Sequence, residues 1–112
     1  MATTPIVVQQ GAVTLGGFGV ETQLGAKITV PGRYQVVADV SSLDLGDQLE
    51  LIVYLTFPGM PERVAFRSVD LVNKQQQELA FAPSFDSPVA FRATLIQLFG
   101  TLRTIPWVIL AS

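Results

Sequence analysis

The sequence predicts an all-β fold, an antiparallel β-sandwich of about eight strands, jelly-roll or immunoglobulin-like. Three observations predict it. Apolar residues recur at every second position through most of the chain. Pro and Gly interrupt that alternation at intervals of roughly 8 to 14 residues. No stretch carries the apolar repeat of an amphipathic helix. A small barrel is the alternative closure, and the Cys–Trp–Cys signature of true immunoglobulin domains is absent.

Along the chain, "MATTPIVVQQ" (residues 1–10) reads as an N-terminal arm, and residues 11–112 as a single sandwich domain. "AVTL", "GGFG" and "VETQL" suggest a strand, a turn and a short strand. In "AKITVPGRYQVVADV", Ile28 and Val30 alternate with Lys27 and Thr29. Pro31-Gly32 then predicts a type II turn, with Gly32 at positive φ. Tyr34, Val36, Ala38 and Val40 share one face of the next strand; Gln35, Val37 and Asp39 share the other.

In "QLELIVYLTF", Leu49, Leu51, Val53 and Leu55 face one way and Glu50, Ile52, Tyr54 and Thr56 the other. "PGMP" ends this strand. "ERVAFRSVDLV" follows, and its alternation slips near Ser68, which predicts a bulge. "NKQQQ" reads as a loop, "ELAFA" as a short strand and "PSFDSP" as a loop. "VAFRATLIQL" is a long strand with Phe91, Ala93 and Leu95 inward. Gly100 breaks it, and "TIPWVILA" is the last strand.

Composition bounds the function. At 112 residues the chain makes one domain. It has no cysteine and no histidine, hence no disulfide frame, no thiolate metal site and no imidazole base. A net charge of −2 offers no basic footprint for nucleic acid or an anionic membrane. The longest apolar runs are about seven residues, against the roughly twenty of a spanning helix. The first residues show no signal-peptide pattern, so synthesis in a cytoplasm without export by that route is expected. Charged residues make up 14% of the chain, well under the roughly 25% of an ordinary domain. A surface so poor in charge is expected to be partly covered by a partner.

The candidate chemical sites are few. Asp39, Asp44, Asp47 and Glu50 cluster around "SSLDLGDQLE", either as oxygens for a weak cation site or as a chain-reversing corner. The spacing lacks the EF-hand pattern and favours the corner. There Ser41 or Ser42 caps one helical turn, Leu43 and Leu45 close the core, and Gly46-Asp47 turns the chain. "LGGFGVET" lacks a phosphate-loop pattern and leads into no helix, so it reads as a turn. Lys27 and Lys74 sit in no motif that would activate a serine. Trp107, Phe91 and Phe66 alternate as core residues rather than as a sugar-stacking platform. Phe18, Phe57, Phe85 and Phe99 fall in loops, where a carbohydrate- or receptor-binding module would need them. Arg92 and Arg103 read as solvated or interfacial arginines rather than as a grip on a ligand carboxylate. No catalytic residue, cofactor site or metal site is expected, so the chain is read as a non-enzyme.

One positive signal remains. Val37, Ile52, Tyr54, Ile96, Leu98, Val108 and Leu110 are apolar positions on strand faces that point away from the core. Burying one such side chain contributes about 1.5 to 3 kcal/mol. These seven are the expected interface of a homo-oligomer or lattice, with edge-strand pairing adding to it.

At "TVPGRYQVVADVSSLDLGDQLELIVYL" and "FRATLIQLFGTLRTIPWVIL" the chain resembles a group of small proteins encoded by tailed bacteriophages. The shared pattern falls here on Gly32, Tyr34, Asp39, Leu45, Gly46, Asp47, Leu49, Glu50 and Leu51, then on Arg103, Pro106 and Trp107. It spans roughly residues 11 to 112, with residues 57 to 88 unaligned. The resemblance implies a virion component of β-sandwich type, assembled in the host cytoplasm. A capsid decoration (cement) protein comes first, and a neck, tail or fibre part second. The implied partners are copies of itself, as a trimer, and the major capsid protein, with no nucleic acid and no membrane.

Overall fold

A computed structural model describes residues 6–112, with the side chains of Val69 and Asp70 excepted. The described residues form nine strands and no helix: β1 (Ile6–Thr14), β2 (Thr22–Gln23), β3 (Gly32–Asp39), β4 (Gln48–Thr56), β5 (Arg63–Val72), β6 (Leu79–Phe81), β7 (Phe85–Ser87), β8 (Ala90–Phe99) and β9 (Thr104–Ala111). They make two antiparallel sheets packed face to face. One has the order β1-β9-β3-β6, with β7 also paired to β3; the other has the order β2-β8-β4-β5.

The pairings are nested. β4 pairs with β5, β3 with β6 and β7, β2 with β8, and β1 with β9. With β6 and β7 counted as one strand broken at Pro83, this is a long hairpin folded over on itself, the jelly-roll arrangement of eight strands in two sheets. Of the two sandwich types expected, the structure has the jelly roll.

The core follows the alternation. Val36 and Ala38 of β3, Leu49, Leu51 and Val53 of β4, Phe91, Ala93 and Leu95 of β8, and Ile105, Trp107 and Ile109 of β9 all lie between the sheets. Tyr34, Phe85 and Phe91 form an aromatic cluster at one end, with Phe85 edge-on to Phe91 at 4.9 Å between ring centres. The slip near Ser68 is present: the β4–β5 register shifts between Leu49 and Leu51, and again between Val53 and Tyr54.

Several local expectations change. Ile6–Gln10 are not a free arm; they pair with Val108–Ala111 as the first part of β1. Residues 1–5 of the expected arm lie outside the described residues. Lys27–Val30 is no strand and makes one bridge, Ile28 to Phe91. Gly32 has no positive φ and starts β3 instead. The bend before it is held by a side chain: the Tyr34 hydroxyl donates to the Val30 carbonyl at 2.6 Å. "PSFDSP" contains strand β7, because Phe85 is drawn onto Tyr34 and Phe91. Leu45 does not close the core; it is 85% exposed, while Leu43 is buried.

Trp107 shows how tight the packing is. Gly11 and Gly25 both lie against the benzene half of its indole, at the adjacent atoms Cζ2 and Cη2. A Cβ on Gly25 would lie 2.7 Å from Cη2 of Trp107 and would overlap the Gln9 side chain, which accepts a hydrogen bond from Ala26. Gly25 also has φ +68°. Gly25→Ala is therefore expected to destabilise the protein by about 2 to 4 kcal/mol, combining left-handed strain with overpacking. Gly16→Ala, which meets nothing within 4 Å, is expected to change stability by less than about 0.5 kcal/mol. Urea denaturation of the two variants checks this.

Candidate functional site

The acidic stretch resolves into a structural tie. Asp47 is 1% exposed. Its Oδ1 accepts the Thr101 amide at 2.8 Å, and its Oδ2 accepts both the Asp44 amide and Nε of Arg103 at 2.8 Å. Its carbonyl accepts the Asn73 amide, and Asn73 Oδ1 accepts the Gly46 amide. One residue thus joins the β3–β4, β5–β6 and β8–β9 loops. Gly100, at φ +99°, leaves the room: a Cβ there would sit 2.6 Å from the Asp47 Cα. Gln97, fully buried, completes the β8–β9 loop by donating to the Phe99 and Thr101 carbonyls and accepting the Arg103 amide.

The other three carboxylates of the stretch are engaged elsewhere. Asp39 accepts the Ser41 amide, and Asp44 accepts the Leu45 amide. Glu50 pairs with Arg67 at 2.8 Å. Among the described residues no group of three or more acidic side chains is placed to hold a metal ion. Burial pushes the Asp47 carboxyl up, but the Thr101 and Asp44 amides and the Arg103 guanidinium outweigh it, leaving its pKa below the ordinary value.

The two outward faces differ. On the sheet of β2, β8, β4 and β5, polar side chains cover Ile52 and Tyr54, while Val64, beside Tyr54 in register, stays 48% exposed. Glu21 accepts hydroxyl hydrogen bonds from Tyr54 and Thr94. Arg92 lies over the Tyr54 ring, 4.0 Å from its centre, and pairs with Glu62 at 2.9 Å. Burial raises the Glu21 pKa, but the two hydroxyls and Arg92 and Arg67 bring it below normal. Tyr54 is raised, first by that same hydrogen bond. Ile52, flanked by Thr94 and Arg67 in register, is 1% exposed beneath this network.

On the face of β1, β9, β3 and β6 the Arg33–Asp86 pair sits at the β7 end of β3, and among the described residues the apolar positions beyond it carry no such cover. Val37 sits between Val108 and Phe81 in register, and Leu110 between Val7 and Gln35. Val7, Leu79 and Phe81 are 51%, 46% and 54% exposed. Val37, Asp39, Leu79, Pro106, Trp107 and Val108 line a shallow groove there, about 180 Å3 in volume.

The seven expected interface residues therefore separate. All lie outside the buried core cluster, on outward faces. Val37 and Ile52 are buried by their own neighbours in the chain, so neither is a bare contact position. Tyr54, Ile96, Leu98, Val108 and Leu110 are half-buried. The sequence reading missed Val7, Leu79 and Phe81; the alternation of Leu79 and Phe81 about Ala80 was the available signal. Of the four loop aromatics, Phe85 lies in β7 and packs inward, and Phe57 and Phe99 lie at opposite ends of the β4–β8 pairing; Phe18 is exposed, next to Gly19, whose amide bonds the Gln97 carbonyl of β8.

No protein-family model matches the chain, and no curated protein matches it in sequence. Among solved structures, a chain in "Structure of infectious bursal disease virus Gx strain" matches with a TM-score of 0.48 and 12% identity. The match covers 96% of this chain and 32% of that one.

Asp47→Asn, which puts an amide NH2 against a donor, is expected to cost about 3 kcal/mol or more. Because the folded pKa of Asp47 is depressed, its contribution is present above the ordinary Asp pKa. It is lost as pH falls through the folded value. Denaturation at pH 7 and near pH 3 should show a large gap between wild type and variant at the higher pH that narrows at the lower. Tyr54→Phe, on an exposed network, is expected to cost about 1 kcal/mol by the same measurement.

Proposed function

We propose that this protein is a non-enzymatic structural component of a tailed-phage virion, a capsid decoration protein that works by protein–protein contact. The carrying observation is the uncovered apolar face of β1, β9, β3 and β6. Several of the sixteen charged side chains mask Ile52 and Tyr54 on the opposite sheet, whereas on this face the described ion pair, Arg33–Asp86, sits at the β7 end and Val7 and Phe81 stay about half exposed. Leu79 and Phe81 are already about half buried, so covering the remainder would contribute roughly 0.7 to 1.5 kcal/mol each.

Two further points support the reading. The two segments that resemble phage virion proteins meet in space: Asp47 from the first and Arg103 from the second form the buried pair. The jelly roll is also a fold used by capsid proteins, although lectins and cupins share it, so this point is analogy at the level of fold. In this role the protein assembles with copies of itself, as a trimer on a local threefold. It spans neighbouring major capsid subunits and raises the cost of separating them. Of the residues weighed for chemistry, Asp47 and Arg103 tie loops together, and Phe91 and Trp107 fill the core.

Light scattering and co-sedimentation with decoration-free capsids of the encoding phage test the proposal. The expected result is an oligomer that binds capsids, with Leu79→Glu/Phe81→Glu folded but binding at least tenfold more weakly. A monomer that ignores capsids would overturn it.

A further inference from the structure

The four sheet edges are not equally guarded. Natural sheets blunt their edges with short strands, charges, prolines or bulges, because an open edge offers unpaired N–H and C=O groups to any other strand. β2 is two residues long. The β6–β7 edge is two three-residue strands separated at Pro83. β5 carries Arg63 and Arg67 and two register shifts.

β1 is different. It is nine residues, IVVQQGAVT, with no charged side chain and no proline. None of the sixteen charged side chains precedes Glu21. Among the described residues its backbone bonds only to β9. Its one irregularity is the shift between Val7 and Gln9. Ile6, Val7 and Val8 are exposed in succession, at 65%, 51% and 41%.

We infer that β1 is the edge at which a second copy of this chain adds, antiparallel and about a two-fold axis, joining two sheets into one. The occupant is argued from charge and continuity. In the antiparallel self-pairing centred on Gln10, Ile6–Val8 of one copy lies against the Ala12–Thr14 region of the other, and because β1 carries no charged side chain no charge meets a like charge within it. The apolar face that begins at Val7 and Leu110 also runs on across the seam. A strand edge about 30 Å long buries less than the roughly 800 Å2 per partner of a standard stable interface. The pair is therefore a reversible one, favoured where copies are crowded. The contact is two-fold whatever the symmetry of an assembly through the sheet face, and it does not depend on the capsid reading.

The absence of cysteine makes the test clean. Single cysteines are placed at Val7, Gln10, Ala12 and Thr14, which are exposed and share the outward face of β1, with Phe81→Cys as a comparison on the far edge. At a two-fold antiparallel seam one position lies opposite itself, within disulfide reach. Under mild oxidation across rising concentration, disulfide dimer should peak at one β1 position and fall on either side. Adding lysines at the other exposed β1 positions should lower the peak at least fivefold, with the thermal midpoint unchanged. Equal background yields along β1, a lysine-insensitive peak, or dimer formed only through Phe81→Cys would overturn the inference. The last result would leave the sheet-face proposal standing, whereas loss of capsid binding with the β1 peak intact would remove only the proposal.

Discussion

A buried carboxylate costs several kcal/mol to desolvate unless donors surround it, and Asp47 is the point at which this chain accepts that cost. Two amides and a guanidinium converge on its oxygens, and each comes from a segment that leads into or out of a strand. Arg103 directly precedes β9, so fixing it places the strand that lies between β1 and β3. Asn73, taken into φ 64° and bonded to the carbonyl of Asp47 and the amide of Gly46, ends β5 against the same corner. The nested hairpin is long and its outermost strands come from opposite ends of the sequence, so such closure is slow to form. A rigid tie at one end of the sandwich defines where the sheets stop.

The second constraint is shortage of charge. Where the chain spends its ion pairs determines which surface it leaves uncovered. Over Ile52 and Thr94 it places Glu21, Tyr54, Arg92 and Glu62 in one connected network, so Ile52 is hidden without a partner. Beside Val37, in register, it places Val108 and Phe81. The two faces have similar alternation in sequence and different exteriors in space. The second leaves Val7, Leu79 and Phe81 about half exposed.

Much of the fold was legible. Period-two patterning assigned the core faces of β3, β4, β8 and β9 correctly, because the pleat forces adjacent side chains to opposite sides and burial does the rest. The acidic stretch was legible as a corner because its spacing lacks the EF-hand pattern. Less was legible where a distant partner decides. Gly32 looked like a turn glycine, but the Tyr34 hydroxyl holds the bend. Leu45 looked like a core residue, but Asp47 turns inward and carries the tip of the loop out. β7 was hidden between prolines, since its strand character comes from the aromatic cluster and from pairing with β3.

By itself, then, the sequence determined that the chain is all-β, which side of each long strand is apolar, and that its surface is short of charge; these are local properties of alternation and composition. Only the tertiary structure decided that the strands nest as a jelly roll, that Asp47 and Arg103 meet, that Ile52 is covered while Val7 and Phe81 are not, and that β1 stands at an open edge. Those outcomes depend on which strands lie side by side. Pairing is selected by closing the whole sandwich, and no window of neighbouring residues contains that information.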